Sequence, residues 1–404
     1  MFDALFTTTT EYKKLSHALS GKGACALFGL PASGRAQVYA ALCRQLDKPL
    51  CIVTPGEAEA TRFAADLNTL GIPAAVFPAR DYVLRPIEGT AREYEYRRLA
   101  VLGELVGGRL RAVAVPAEAL TQFTTPKEDF CANTRTLHAG DTLLRDDLLA
   151  ALFGAGYTRR AQVDGPGQFS VRGDIVDIFA PDQKMPVRME FWGDEIDTLH
   201  TFDLTTQRRE DAIDKFYLSP AREVLFGKPA DAAEQLRAFL AKQRGKKKTV
   251  MADCMAADLD LLDGGAVPVN MDKYLAVRYP HPATVLDYFD DPILVAEEPA
   301  SIREADRATA YRRGEELKSL ILDGVLCAGL DNLYADPSYL WSKTGHYRTI
   351  CAENFARSMP DQPLKDIINA PAHTLPAWNG EVAGLLEDLK PLCDAGYTVT
   401  PVSY

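Results

Sequence analysis

Several features of secreted, membrane-spanning and metal-binding proteins are scarce or missing in this sequence. Its eight cysteines are spread over 404 residues, with no two within four positions of each other, and its six histidines are equally scattered. This spacing excludes a CxxC-type zinc site and gives no sign of a disulfide framework. No apolar run approaches the roughly 18 residues of a transmembrane helix, and the first residues lack the basic segment of a signal peptide. We therefore expect a cytoplasmic protein with reduced thiols, without a metal site and without membrane contact.

Positive charge is also in short supply. The 45 Lys and Arg residues are outnumbered by 56 Asp and Glu residues, which gives a net charge of −11. Such a surface disfavours non-specific binding of nucleic acid, although it leaves room for a local basic patch. The densest basic run, residues 242–248, follows a predicted helix and is interpreted as its solvated C-terminal turn. The length and the 47% apolar content are typical of a globular chain with two or three domains.

The first pattern that the sequence does contain is a regular alternation of predicted strands and helices. Short apolar runs are separated by helical periodicities, and this pattern is typical of an α/β fold with a parallel sheet. The first predicted strands are residues 24–28, 50–54, 74–77 and 112–115, and the first predicted helices are residues 34–46, 57–70 and 93–105. The alternation returns after residue 220, with helices at 231–243, 301–322 and 380–395 and strands at 249–252, 266–269, 293–296 and 397–402.

The pattern between residues 134 and 220 is different. A helix at 143–153 is followed by short strands at 157–163, 168–173, 174–179, 186–192 and 195–203, separated by glycine and proline. Closely spaced turns indicate a small antiparallel α+β module inserted into the α/β chain. The predicted segments are the first part of the α/β domain (1–133), the inserted module (134–220), the second part of the α/β domain (221–360), and a linker with the truncated start of a further small α/β domain (361–404).

A nearly complete phosphate-binding motif stands between the first strand and the first helix. Gly29 and Gly34 have the spacing of the P-loop motif G-x-x-x-x-G-K-[ST]. The lysine position holds Arg35, however, and the hydroxyl position holds Ala36. Alanine cannot ligate Mg²⁺, and arginine does not replace the slim ammonium that reaches the phosphates. The motif indicates either a degenerate nucleotide site, whose backbone could still hold an anion, or a chance pair of glycines at a strand–helix turn.

A second feature favours the degenerate site. The apolar strand 293–296 ends at Glu297 and Glu298, like a Walker B segment, in which one acid organises Mg²⁺ and the next polarises water. Glutamate is one methylene too long for the first role, and Pro299 follows directly. Taken alone, the feature is more typical of a strand that ends in solvated acids. Together the two motifs predict a helicase-like P-loop fold that has lost its chemistry, with no catalytic residue and no cofactor.

The inserted module contains the most specific stretches of the sequence. They are GYTR at 156–159, GPGQFSVRGDIVDIF at 165–179, PVRMEFWGDEI at 186–196 and FD at 202–203. This series closely resembles the bacterial transcription-repair coupling factor family (Mfd) and, more distantly, the excision-repair subunit UvrB. The resemblance covers about residues 1–360 and corresponds to the UvrB-like N-terminal region of that family.

The resemblance implies an adaptor. In that family the module recruits UvrA, the damage-recognition ATPase, and the positions of its contact residues are Arg172, Arg188 and Trp192 here. Strand alternation can bring both arginines to one face, and Arg and Trp are enriched in interface hot spots. The opposite interpretation makes the arginines solvated surface residues and the tryptophan part of the core. The module holds ten Lys and Arg against fifteen Asp and Glu, so a protein is a better partner than DNA.

The resemblance also implies which activities of the related proteins this chain lacks. The long aromatic hairpin with which UvrB probes damaged DNA has no counterpart, because residues 82–97 look like a loop and a helix. The family's ATP- and Mg²⁺-dependent translocase motor, its RNA polymerase-binding domain and its autoinhibitory C-terminal domain lie outside this sequence. We therefore expect a monomeric, non-catalytic adaptor that links stalled RNA polymerase to nucleotide excision repair. Two alternatives stay open: a UvrB-type subunit that binds nucleotide and damaged DNA, and a structural domain that restrains the motor.

Overall fold

The computed structural model describes residues 7–87, 92–355, 363–371 and 382–396. In these ranges the strands are β1 (Gly23–Phe28), β2 (Leu50–Thr54), β3 (Ala74–Val76), β4 (Ala112–Pro116), β5 (Arg135–His138), β6 (Thr158–Arg159), β7 (Gln168–Arg172), β8 (Ile175–Phe179), β9 (Val187–Trp192), β10 (Glu195–Phe202), β11 (Arg209–Ala212), β12 (Lys215–Leu218), β13 (Ile293–Glu297), β14 (Arg348–Glu353) and β15 (Leu364–Asn369). The α-helices are α1 (Thr10–Ala18), α2 (Ala32–Leu46), α3 (Glu57–Thr69), α4 (Glu93–Val106), α5 (Ala117–Leu120), α6 (Lys127–Ala132), α7 (Arg145–Gly154), α8 (Pro229–Ala241), α9 (Gly245–Asp263), α10 (Leu275–Arg278), α11 (Pro299–Leu322), α12 (Tyr339–Lys343) and α13 (Val382–Asp394).

The larger sheet contains seven parallel strands in the order β15-β1-β14-β13-β2-β4-β3. Strands β2, β4 and β13 are buried along their whole length, which is typical of a parallel sheet covered on both faces. Helices α1, α2 and α3 pack on one face, and α4, α5 and α11 contribute to the core on the other. The predicted α/β class with a parallel sheet is confirmed.

The inserted module forms a six-stranded sheet in the order β11-β10-β9-β8-β7-β6. Its neighbouring strands are antiparallel except for the short parallel pair β6–β7. Helix α7 covers one face through Leu148 and Leu152. A separate antiparallel pair, β5 with β12, joins the two ends of the module. The predicted antiparallel sheet is confirmed, although the strand predicted over 157–163 is reduced to β6.

The module is followed by a helical layer, residues 229–278, which contains α8, α9 and α10. Three predictions for this layer need correction. The strand predicted at 249–252 is wrong, because α9 runs through it and buries Met251 and Met255 one helical turn apart. The strand predicted at 266–269 is also wrong, since this segment has no regular structure. The basic run 242–248 is not a single C-terminal turn: Lys242 ends α8, and the last three lysines lie in the first turn of α9.

Two strands of the larger sheet are not among those predicted from the sequence. Strand β14 lies in the middle of the sheet, between β1 and β13, and β15 forms the edge beside β1. The division predicted at residue 361 therefore needs correction, because β15 belongs to the larger sheet and the compact units divide after Ala370. In the second unit, α13 agrees with the predicted helix 380–395. The strand predicted at 397–402 lies outside the described residues, as do residues 361 and 362 of the predicted linker.

A buried charge network holds the segment that leaves the module against the larger sheet. The carboxylate of Glu223 accepts a hydrogen bond from Arg98 Nε at 2.6 Å and lies 3.3 Å from Arg80 Nε. Arg80 continues to Asp272, with Nη1 2.7 Å from Oδ2. The backbone N–H of Glu223 donates to Glu95 at 3.0 Å. Burial raises the pKa of Glu95, but Arg80 and its neighbouring arginines outweigh burial and lower that pKa to about 2.

The eight cysteines are all free in the structure. None of the described helices combines the length and the apolar character needed to cross a membrane.

Candidate functional site

The P-loop-like segment lies at the carboxyl end of β1, the edge at which open parallel sheets bind ligands. Its shape differs from that of a phosphate cradle, because α2 already begins at Ala32 and three residues separate it from β1. Gly29 has a φ of +91°, and a Cβ at this position would lie 2.7 Å from the carbonyl oxygen of Ala370. The chain after β15 passes so close that this position requires a glycine, whether or not the segment derives from a phosphate-binding loop.

The side chain of Arg35 links this segment to the end of β13. Its Nη2 lies 2.8 Å from Glu297 Oε2 and donates to Glu298 Oε1 at 3.0 Å. Its Nη1 donates to the carbonyl oxygen of Leu30 at 3.1 Å and to Asn354 Oδ1 at 3.0 Å. Only 3% of the arginine side chain is exposed. The structure thus brings the predicted residues together, but as a closed ion-pair cluster.

Burial dominates the chemistry of Glu297. Its Oε1 accepts a hydrogen bond from the hydroxyl of Tyr39 at 2.5 Å, while Oε2 faces Arg35. Burial raises the pKa of Glu297 to about 7, and Arg35 and Tyr39 offset this only in part. Burial lowers the pKa of the Arg35 guanidinium, but the adjacent Glu297 more than compensates, and the net shift is upwards. The ionisable groups of this cluster are therefore engaged with one another.

The remaining motif positions are Gly34, which is partly exposed, and Ala36, which faces the protein interior. Gly34 lies in the first turn of α2, and Ala36 is buried in the apolar core that this helix shares with α1 and α3. Within the part of the chain that the structure describes, no group of His, Cys, Asp and Glu side chains is arranged to hold a metal ion. Through ion pairs and hydrogen bonds, the cluster around Arg35 connects the segment after β1, α2, the end of β13 and the segment after β14.

The second set of predicted residues lies on the module. Strands β7 and β9 are both antiparallel to β8, so they run in the same direction and end at the same edge of the sheet. The side chains that these strands turn towards the core are Phe169, Val171, Val187, Met189 and Phe191. Because side chains alternate along a strand, Arg172, Arg188 and Trp192 share the opposite, outer face. This is the common face that the alternation of residues predicts for the two arginines.

Asp177, on β8, connects the two arginines. Arg188 donates two hydrogen bonds to the Asp177 carboxylate, Nε to Oδ1 at 2.7 Å and Nη2 to Oδ2 at 2.9 Å. Arg172 Nη2 donates to the same Oδ2 at 2.6 Å. Arg188 also donates to the carbonyl oxygen of Gln207 and lies over the ring of Phe202. Its side chain is 10% exposed, whereas that of Arg172 is 48% exposed. Arg172 alone of the two therefore presents much of its guanidinium to solvent.

Trp192 is 82% exposed at the end of β9, next to the turn at Gly193. The interpretation that places this tryptophan in the core is therefore wrong. A large apolar side chain in water is unfavourable, and Trp is among the residue types that anchor protein interfaces. Arg209 and Glu190 form an ion pair on the same face. The outer face combines an exposed aromatic side chain with a fixed, half-exposed cation, which suits a partner with an apolar pocket beside a carboxylate.

Several residues of these two sites were missed by the sequence-based prediction. Asp177 interrupts the apolar run 175–179, and a single acid in a buried strand is a signal that could have identified it. Tyr39 and Asn354 have no such signal. They reach the Arg35 cluster only because the sheet brings β1, β13 and β14 together.

Comparisons with known proteins match the module and most of the chain. The family model described as the UvrB interaction domain matches residues 136–224. The transcription-repair-coupling factor of Bacillus subtilis is 25% identical over 92% of this chain, and that of Mycobacterium bovis is 34% identical over 71% of it. The Myxococcus xanthus protein of the same name is 31% identical over 67%. The aligned parts are 32%, 24% and 24% of these relatives, so the chain spans about a third of their length or less.

The module geometry and these similarities agree with the resemblance seen in the sequence. The UvrB interaction domain coincides with the antiparallel sheet and its flanking strands. This chain therefore corresponds to the N-terminal region of a transcription-repair coupling factor.

Proposed function

We propose that this chain is a non-catalytic adaptor that recruits UvrA in transcription-coupled nucleotide excision repair. The observation that carries the proposal is the exposure of Trp192 on the same face of the sheet as Arg172, which Asp177 holds in place. The match to the UvrB interaction domain supports the choice of UvrA as the partner. Contacts with RNA polymerase and DNA are assigned to other parts of a longer protein.

The three predicted contact residues have different roles in this proposal. Trp192 inserts into an apolar pocket of UvrA, and Arg172 pairs with a carboxylate beside that pocket. Arg188 was predicted to touch UvrA directly, but its side chain is buried against Asp177. We assign it a positioning role: it fixes the aspartate that in turn fixes Arg172.

The test is a calorimetric titration of purified UvrA into the chain and its variants. We expect Trp192→Ala and Arg172→Glu each to weaken binding about 10- to 100-fold, as truncation of an interface hot spot does. The matched control is Tyr311→Ala, which removes an aromatic side chain that is 74% exposed on α11. Circular dichroism and thermal unfolding establish that each variant is folded. Wild-type affinity in both folded module variants, or no binding by the parent chain, contradicts the proposal.

We further propose that the α/β domain does not use ATP. The support for this is the engagement of Arg35 with Glu297 and Glu298, together with the burial of Ala36 at the position of the Mg²⁺-binding hydroxyl. A ligand present at 100 times its Kd stabilises a folded chain by about 2.7 kcal/mol. We expect millimolar Mg²⁺-ATP to leave the melting temperature unchanged and to release no phosphate, with UvrA as the active control. A saturable rise in melting temperature would contradict this part of the proposal.

A further inference from the structure

A cleft of about 820 Å³ lies between the module and the helical layer. One wall is formed by the module, from β6 and the loop before β7. The other wall is formed by residues 265–269, after α9, and by residues 224–227, which leave the module. The cleft lies beside the start of β7, whereas Arg172 stands at the end of that strand, about 13 Å further along it. It is therefore separate from the face proposed to bind UvrA.

The floor of the cleft is fixed by two glycines that admit side chains from the α/β domain. Gly156 and Gly167 have φ of +83° and +73°. A Cβ at Gly156 would lie 2.8 Å from Arg222 Cγ, and one at Gly167 would lie 2.8 Å from the hydroxyl of Tyr96. Arg222 Nη1 donates to that same hydroxyl at 3.1 Å. The floor is thus a preformed surface, held by a hydrogen bond and by close backbone contact.

The module wall of the cleft is positively charged. Arg159 and Arg160 are exposed, and neither forms an ion pair with an acid of the described ranges. Asp164 lies on the same wall and offsets one of these charges. The other acid at the cleft, Asp272, is engaged by Arg80. A net positive charge therefore remains on this wall, on a chain whose total charge is −11.

The opposite wall is apolar and exposed. Val267 is 55% and Val269 is 40% exposed, and Ile87, which also lines the cleft, is 60% exposed. Exposed apolar side chains gathered at a concave site are typical of a ligand-binding surface. These three side chains are aliphatic.

The cleft is also lined by Tyr96, Phe153 and Phe226, but Phe226 is buried, Phe153 packs edge-on against Phe169 and Tyr96 accepts a hydrogen bond from Arg222. These aromatic rings are therefore engaged within the fold and do not form a platform of successive rings for stacking nucleic-acid bases.

We propose that this cleft binds an acidic amphipathic peptide segment of a partner protein. Carboxylates of the peptide pair with Arg159 and Arg160, and its apolar side chains cover Val267 and Val269. Charge complementarity selects the acidic character, and the aliphatic wall selects a peptide rather than a phosphodiester chain. The site is independent of UvrA binding through Trp192.

The experiment selects peptides without assuming their sequence. A library of random 12-residue peptides displayed on phage is selected on the immobilised full chain. The enriched peptides are then titrated by fluorescence anisotropy against the chain, against Arg159→Glu/Arg160→Glu and against Val267→Asp. The matched control, Arg244→Glu/Arg307→Glu, makes the same charge change at two exposed arginines outside the cleft. A 12-nucleotide oligo-dT is titrated in parallel.

We expect enriched peptides to combine acidic and apolar residues and to bind at least tenfold more weakly to both cleft variants, while the control variant binds them like the parent. UvrA binding is expected to be unchanged in the cleft variants, which separates this proposal from the one above. Three results would overturn it: no enrichment over a blank surface, enriched peptides that bind the cleft variants normally, or oligo-dT binding that the cleft variants abolish.

Discussion

At the scale of single residues, two arginines of this chain show how surroundings decide what a charge can do. Arg35 and Arg172 are both held by carboxylates at distances below 3 Å. Arg35 is almost completely enclosed, and its contacts with Glu297 and Glu298 leave it no role at the surface. Arg172 shares Asp177 with Arg188, and this pairing fixes its orientation. Its side chain nevertheless stays half-exposed and can contact a partner. The same pairing chemistry thus yields a structural element in one place and a candidate contact in the other.

The raised pKa of Glu297 leads to a prediction at this scale. Its value of about 7, against 4.5 ordinarily, means that the folded chain binds this proton more tightly than the unfolded chain. The free energy of unfolding should therefore fall as the pH rises from about 4.5 to about 7. The size of this contribution is on the order of 3 kcal/mol, since one pKa unit corresponds to about 1.4 kcal/mol. In Glu297→Gln, urea unfolding at a series of pH values should lack this decrease.

The control for this experiment is Glu316→Gln, an exposed glutamate of α11. We expect its stability to follow that of the parent chain at each pH. Parallel curves for the parent and Glu297→Gln would show that Glu297 titrates normally in the folded chain, against the prediction.

At the scale of elements, β15 completes the larger sheet. It pairs with β1 and buries Ile368 against the core that α1 and α2 cover. Without it, the apolar strand β1 would become the edge of the sheet, and an exposed apolar edge invites pairing with other chains. The sequence-based boundary at residue 361 would remove this strand.

Truncation tests the role of β15. A chain ending at residue 362 should have a lower melting temperature than one ending at residue 370, because it loses the strand pairing and the burial of Ile368, which alone contributes about 1.5–3 kcal/mol. It should also scatter more light on heating, since β1 becomes an exposed edge. Equal melting temperatures and equal scattering for the two chains would mean that β15 contributes little to the sheet.

At the scale of the whole molecule, the module and the larger sheet are joined by buried charges. Glu223 belongs to the segment that leaves the module, Arg80 and Arg98 belong to the α/β domain, and Asp272 belongs to the helical layer. Their side chains are at most 4% exposed. Such a network fixes one arrangement of its parts, because an unpaired charge in this position is costly.

Replacement of Glu223 should therefore affect stability strongly. Removing one partner of a buried ion pair typically costs about 3–5 kcal/mol, and we expect Glu223→Ala to lower the free energy of urea unfolding by that amount. Glu210→Ala, on the exposed strand β11, is the control and should change it little. The double variant Arg98→Leu/Glu223→Leu should lose less stability than Glu223→Ala, because it also removes the Arg98 charge that the single variant leaves unpaired. A loss equal in the double and the single variant would assign the effect to packing.

Local patterns in the sequence are enough to establish the class of fold, the insertion and the family resemblance. Alternating apolar runs and helical periodicities predicted the parallel sheet, and the short strands after residue 134 predicted the antiparallel module. Alternation along the strands was enough to predict a common face for Arg172 and Arg188. These inferences rest on local patterns, which a single sequence contains.

Which of these residues can reach a partner depends on contacts between distant parts of the chain. Arg35 and Glu297 are 262 positions apart, and they meet because non-local crossovers place β13 two strands away from β1. Strand β14 was missed although it lies between them, since a short buried strand has no period that separates it from a helix segment. On the same outer face, contacts with Asp177 and Gln207 bury Arg188, whereas Arg172 stays half-exposed. The cleft exists only where two sequence-distant segments meet. Pairing of buried charges depends on distances across the fold, and those distances are set by the order of the strands.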